Sequence, residues 1–381
     1  MKRYKIFLLG LFAAPAVEAQ SIDSMTMGQL QSEVKTENGK LESPMEGTVT
    51  YGKLKMLSAT DMSKWGVPAG NYSGITPIAD DSFAVVDDKS VSGGFYVFHI
   101  EMDKRNGKIL RVSRGAFHGS TVPKAEDNED IVYIPAFRTF FITSEAESTV
   151  EEYTAEGVKT GRRLQMPAAF AHENIQPNGG FESLAYDNAT GHFWMTTENP
   201  LLSDKDYRIG AKSLQVLRLQ QFGSDLEPQG WWAYPMEAAR LKTDGNIYTF
   251  GVPAVLSIGK GELLVMEREA YVPNGYIGAK TNIRIFRVKL QESARREDGT
   301  PLSSVPVSAL LQKTEVAVFT TRLQITQLNW ANYEGMCLGP RLQDSSPTLL
   351  LVSDSQGGYG NSLYHLKDYL KVIVLSKDFL P

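Results

Sequence analysis

Cysteine is almost absent from the 381 residues: Cys337 stands alone. No intrachain disulfide can form, and no paired-cysteine metal site exists. A single thiol in an apolar run reads as a small buried strand residue. Histidine is scarce as well. His99, His118, His172, His192 and His365 show no pair at metal-ligand spacing, which argues against zinc. Basic residues are not in excess. The 39 Lys and Arg against 44 Asp and Glu give a net charge of −5, so the basic stripe of a nucleic-acid binder is missing. Long amphipathic helices are nearly missing too; only "YPMEAARLK", residues 234–242, reads as a short helical piece. There is no G-x-S-x-G elbow. "GKGELL" lacks the second half of a phosphate loop. "SDSQGGYGNS" follows a strand and reads as a hairpin turn.

One apolar run does stand out. "MKRYKIFLLGLFAAPAVEAQ" sets Lys2 and Arg3 before an apolar stretch from Ile6 to Ala14, then Val17 and Ala19 ahead of Gln20. This pattern reads as a cleaved secretory signal over residues 1–19, and the expected location is periplasmic or secreted. A membrane anchor is the alternative, but the run is too short to span a bilayer. Residues 20–45 are polar and without periodicity, a lead to a single domain over 46–381.

From Thr48 onward, short runs rich in Val, Ile, Phe, Tyr and Thr are punctuated by Gly, Asp, Asn and Pro. "SFAVVDD", "TFFITSE", "HFWMTTE", "ELLVMERE" and "TLLLVSD" are examples. They belong to a repeat. Glu182 precedes Glu198 by sixteen residues, Glu129 precedes Glu145 by sixteen, and Gly251 precedes Glu267 by sixteen. Glu334 and Asp354 frame a longer copy, and Ser73 and Asp87 a shorter one. Each copy reads as strand, turn, strand, with a polar residue at either end. Copies start roughly 50 to 80 residues apart, the scale of a propeller blade. The fold class is therefore all-β, a β-propeller of five or six blades. A sixth would join the strand near "GTVTYGKLKML" to C-terminal strands, and the same strand is expected to close the ring against "KVIVLSKDFL". "WWAY", Trp231 to Tyr234, reads as edge-strand packing.

Equivalent positions in each blade converge on the propeller axis. The recurring carboxylates would then form a ring. The alternative is that each caps its own turn, although Glu is a poor turn residue. Gathered like charges repel and call for a cation. Oxygen donors without His or Cys suit Ca²⁺ before Mg²⁺. Arg268 follows Glu267 directly, so the two point to opposite sides of an alternating strand unless at its end. Arg114, His118 and Lys124 are further cations that could meet an anionic ligand.

Five phrases, in order, resemble the bacterial phytase-like family, the proteins of "esterase-like activity of phytase". They are "YSGITPIADDSFAVVDD", "DNEDIVYIPAFRTFFITSEAESTVEEYTAEG", "NGGFESLAYDNATGHFWMTTENPL", "GVPAVLSIGKGELLVMERE" and "NYEGMCLGP…LLLVSDS". The third is the most specific, and the likeness runs over about residues 50 to 375. Asp130 stands where the family usually has Gly or Ser, and Ser355 where it tends to have Asn.

The resemblance implies phosphoester hydrolysis, by analogy with calcium-dependent propeller phytases. On that reading Glu182, Glu334, Glu129 and Glu145 supply metal ligands, with Asp87 and Asp354 as further candidates. Glu198, Glu267 or Asp354 holds further ions or orients a water, and Arg268 offsets developing negative charge. The expected partner is a small phosphate ester or other anionic ligand, met by a monomer with no membrane span. Two other readings stay open: a non-catalytic binding propeller, and a metal-assisted carboxylic esterase or lactonase.

Overall fold

The computed structural model describes residues 54–381 apart from 121, 125, 210, 211, 242, 325, 326 and 361–364. The expected signal, the polar lead and residues 47–53 of the closing strand lie outside the described residues. Among the described residues there are strands and six short 3-10 turns, and no α-helix.

Five antiparallel sheets carry the repeats. The first blade runs outward from Tyr72–Pro77 through Ser82–Asp87 and Gly94–Met102 to Ile109–Gly119. The second holds Asn128–Ile134, Thr139–Ser144, Thr149–Tyr153 and Lys159–Arg163. The third holds Ser183–Asp187, His192–Thr196, Val216–Phe222 and Pro228–Pro235. Ile247–Gly259, Glu262–Val272, Lys280–Lys289 and Lys313–Gln324 make the fourth. The fifth begins with Asn332–Gly339, Thr348–Asp354 and Tyr369–Val374. The innermost strands pack on one another in cyclic order, and the fifth returns to the first.

The N-terminal strand completes the fifth blade. Lys55 pairs with Val374 and Met56 with Ile373, while Thr60 and Asp61 pair with Leu370 and Tyr369. The ring therefore has five blades. Among the described residues no sixth forms, because the fifth uses the N-terminal strand as its own outer edge. This joins the two chain ends and removes an open edge.

Burial explains why the inner strands read as continuous apolar runs. Each is sandwiched between neighbouring blades, so both faces are covered. Thr348–Asp354 is buried throughout, whereas the outermost Lys159–Arg163 is exposed throughout. One apolar cluster fills each interface. Tyr72, Ile75 and Phe83 meet Leu350 and Val352. Ala84 and Val86 meet Ile131 and Phe140. Val132 and Phe141 meet Leu184 and Phe193. Trp194 and Leu217 meet Val252 and Val265. Met266 and Ile285 meet Tyr333 and Leu351. Each Val, Leu, Ile, Phe or Met among them is worth about 1.5–3 kcal/mol on burial.

Cys337 is buried in the innermost strand of the fifth blade. Trp231 and Trp232 are buried in the outer strand of the third, their indole N–H groups donated to the carbonyls of Glu297 and Gln291. The short helix expected over 234–242 does not form. The N–H groups of Arg240 and Leu241 are instead donated to the Glu269 carboxylate, each at 2.7 Å. A carboxylate thus satisfies amides that a helix would have paired internally.

Candidate functional site

Side chains from all five blades meet in one cavity of about 510 Å³ at the axis. Local backbone geometry turns them there. Four of the five innermost strands slip register near their start: at Tyr72/Ile75, Asn128/Ile131, Gly251/Ala254 and Tyr333/Gly335. Such bulges kink a strand and re-aim its side chains. Glu129 and Glu334 sit within two of them. Glu182 lies just before the regular strand of the third blade.

The carboxylates form two overlapping groups. Oxygens of Asp88, Asp127 and Glu129 lie within 4.8 Å of one another, as do those of Glu129, Glu145 and Glu182. Glu129 belongs to both. Its Oε2 accepts the Ser73 hydroxyl at 3.1 Å, and Glu145 Oε1 accepts the Gly180 N–H at 2.9 Å. Burial, then the charges of Asp88, Glu334 and Glu145, push the Glu129 carboxyl well above the ordinary carboxylate range. Burial and the charges of Glu129 and Glu198 do the same to Glu182, with Arg268 opposing. These directions are those of negative charge gathered in a dry place without full compensation.

Two cations among the described residues reach the cavity. Lys89 Nζ stands 2.8 Å from Asp88 and 2.6 Å from Asp127. Arg268 is buried and forks between blades: one nitrogen donates to Glu198, the other to Glu334 and to Asn332 Oδ1. Glu198 also accepts the hydroxyl of Thr249 at 3.2 Å. Burial raises the Glu334 carboxyl to about 7 against the pull of Arg268.

The sixteen-residue repeat therefore splits by role. Glu182 faces Glu129 and Glu145, whereas Glu198 is held by Arg268. Gly251, the copy without a carboxylate, is explained by space. A Cβ there would fall 2.2 Å from Glu198 Cγ and 2.8 Å from its backbone oxygen. The Glu198 side chain occupies that place.

Three sequence expectations land elsewhere. Glu267 does not face the cavity; strand alternation sends it opposite to Arg268. There its carboxylate accepts from Tyr234 Oη at 2.8 Å, Lys313 Nζ at 2.6 Å and the Glu237 N–H. Asp354 caps its own turn, accepting the Gln356 N–H at 2.6 Å, and Gln356 lines the cavity in its stead. Asp87 ends its strand opposite Tyr72, and the following residue, Asp88, reaches the cavity. The other three candidate cations, Arg114 and His118 on the outer strand of the first blade and Lys124 after it, are also engaged elsewhere. Arg114 donates to Tyr72 Oη, His118 meets the Ala155 carbonyl, and Lys124 pairs with Glu147.

Both departures from the family phrases have structural roles. Asp130 accepts the N–H groups of Ile131 and Leu184, tying the second blade to the third. Ser355 donates its hydroxyl to the Gly70 carbonyl and accepts the Gly358 N–H. Sequence reading missed Asp88, Lys89 and Asp127. The doubled acids of "VVDDK" and "EDNED" were their signal. It also missed the cavity's apolar side, formed by Val272, Tyr276, Leu323, Trp330 and Leu366.

The family described as phytase-like, esterase-like activity of phytase, matches residues 67–356. No curated protein matches the chain. Among solved structures, an endo-arabinase from Bacteroides thetaiotaomicron is 11% identical with a TM-score of 0.44, covering 84% of this chain and 98% of its own. A streptogramin B lyase is 12% identical with a TM-score of 0.34, covering 85% and 98%. At such values neither likeness bears on activity. No helix among the described residues is long and apolar enough to cross a membrane.

Proposed function

The chain belongs to the phytase-like family, and from that premise we propose that it is an exported, metal-dependent hydrolase of phosphate esters. The observation that carries this reading is Glu129, shared by two groups of carboxylates in a cavity that a buried arginine also lines. The donor set fits a hard cation: it is all oxygen, Glu129 and Glu182 are buried and the others half-buried, and burial with the neighbouring charges pushes the Glu129 and Glu182 carboxyls up. Ca²⁺ suits such donors before Mg²⁺. Glu129, Glu145 and Glu182 would hold one ion, and Asp88, Asp127 and Glu129 offer a second place. When bound, the ion offsets charge on phosphate oxygens and lowers the pKa of a coordinated water.

The remaining chemistry belongs to side chains of this chain. Arg268 brings a fixed positive charge to the cavity, where it offsets charge developing on the phosphoryl group. Glu198 and Glu334 hold its guanidinium plane from two sides. The N-terminal charged and apolar segment supports export to the periplasm or beyond.

One observation favours a second reading, a binding propeller without chemistry. Both cations of the cavity are already bonded to carboxylates. Turnover separates the two. The chain from Gln20 onward is assayed on phosphate and carboxylate esters, in millimolar Ca²⁺ and in excess chelator. Calcium-dependent release of phosphate that is lost in Glu182→Gln supports the hydrolase. Ligand binding with no turnover of any ester supports the binding propeller.

A further inference from the structure

One side of the cavity has no part in the chemistry above. Val272, Leu323, Trp330 and Leu366 form with Ala279 a cluster of their own, separate from the five interfaces that hold the blades together. At its opening the Tyr276 and Tyr359 rings meet edge to face, centroids 5.9 Å apart. Ile247 and Tyr359, which also line the cavity, are 47% and 56% exposed. Apolar side chains left in water around a concave site mark a binding surface.

Two details strengthen the point. Trp330 is only 5% exposed, and its indole N–H has no partner among the described residues. A buried donor without an acceptor is costly, and the ester oxygen that joins a phosphate to an apolar group would satisfy it. Tyr276 holds φ at +68°, a left-handed conformation that side chains other than Gly and Asn rarely take. The turn keeps an aromatic ring at the mouth although the conformation favours glycine.

Charge argues in the same direction. Among the described residues the lining carries seven carboxylates (Asp88, Asp127, Glu129, Glu145, Glu182, Glu198 and Glu334) against two cations, Lys89 and Arg268. Even with an ion at each of the two carboxylate groups, the negative charges of the lining are not outnumbered, so a ligand with many phosphates finds little free positive charge here. A ligand with one anionic group and an apolar body needs far less.

Resting on the hydrolase reading above, we propose that the substrate is an ester with one apolar side, an aryl or acyl-chain phosphate ester. Its phosphate meets the carboxylate and Arg268 side, and its apolar part lies against Trp330, Leu323 and the tyrosine pair. A polyphosphorylated sugar alcohol is disfavoured.

Binding of non-hydrolysable probes tests this in the chain from Gln20 onward, with Ca²⁺ present. Naphthylphosphonate is expected to bind about tenfold or more tightly than methylphosphonate, from the ring area removed from water. Ile247→Ser and Tyr359→Ser change exposed residues and leave the fold intact; each is expected to narrow that ratio about threefold. Trp330→Leu removes the aromatic ring of the wall, and is expected to weaken naphthylphosphonate more than methylphosphonate. Equal affinities for the two phosphonates, or tighter binding of inositol hexakisphosphate than of naphthylphosphonate, overturn the inference. Naphthylphosphonate binding in a chain that releases no phosphate from any ester upholds the apolar wall and overturns the hydrolase reading. Cleavage of naphthyl acetate alone upholds the wall and moves the chemistry to carboxylate esters.

Discussion

Replacing Arg268 with methionine isolates the electrostatics of the axis. Arg268 is 4% exposed and bonded to Glu198 and Glu334, whose side chains are 3% and 12% exposed. Methionine retains much of the side-chain volume and removes the charge. Two buried carboxylates then lose their partner. Breaking a buried pair in this way typically costs about 3–5 kcal/mol. For a domain of this size that is roughly 4–7 °C in melting temperature. The pH dependence gives a second signature. Glu334 has its carboxyl raised to about 7 with Arg268 present. A carboxyl that holds its proton more tightly when folded stabilises the fold at low pH. That advantage declines from the ordinary value, near 4.5, up to the folded value, and is gone above it. Without Arg268 the folded value rises further. The gap between variant and parent should therefore be small at pH 5 and widen as pH passes 7. Denaturant unfolding in chelator from pH 5 to pH 8 measures it. The triple variant Arg268→Met, Glu198→Gln, Glu334→Gln should recover much of the loss, since the charges go together. An Arg268→Met chain as stable as the parent at pH 8, or a gap that does not change with pH, refutes the reasoning.

Gly251→Ala should disturb the same site through space alone. Its Cβ overlaps Glu198, so a loss of about 1–3 kcal/mol is expected by denaturant unfolding. Activity should fall with it as Arg268 loses one of its two holders. Removal of residues 20–58 deletes the closing strand at Lys55–Met56 and the packing of Leu54 and Leu57. A drop of roughly 4–8 °C in melting temperature is expected, and an unchanged melt contradicts the closure. Asp368 is raised to about 7 by burial while accepting the Gly70 N–H. Its stabilisation by a proton is present at low pH and lost as pH climbs towards 7. Asp368→Asn should therefore flatten the fall in melting temperature between pH 5 and pH 8.

The propeller was legible because inner strands lie buried on both faces, so their runs stand out from the turns. The sixteen-residue spacing marked how far the chain travels from the axis and back. It located Glu129, Glu145, Glu182 and Glu198 at one cavity. It could not tell Glu267 from Arg268, because neighbours on a strand face opposite ways and the register is fixed by a bulge. The same one-residue shift separates Asp87 from Asp88. Asp354 ends its copy of the repeat within reach of the charges of Glu334 and Asp88, and its carboxylate also caps its own turn. The apolar side was illegible for another reason. Tyr276, Trp330 and Leu366 stand outside the repeat, in connections that differ from blade to blade. The segment around Glu237 read as helical from its local composition, and distant carboxylates on the fourth blade claimed its amides.

Calcium titration into the chelator-treated chain, followed by calorimetry, puts the shared carboxylate to the test. Glu129 is the one residue common to both oxygen groups. Glu129→Gln should abolish binding or weaken it about 10–100-fold or more, the scale seen on losing even a supporting residue of a metal site. Asp127→Asn and Glu145→Gln each touch a single group and should cost less. Calcium binding by Glu129→Gln that matches the parent, or no calcium binding by the parent itself, contradicts a metal centre at the axis.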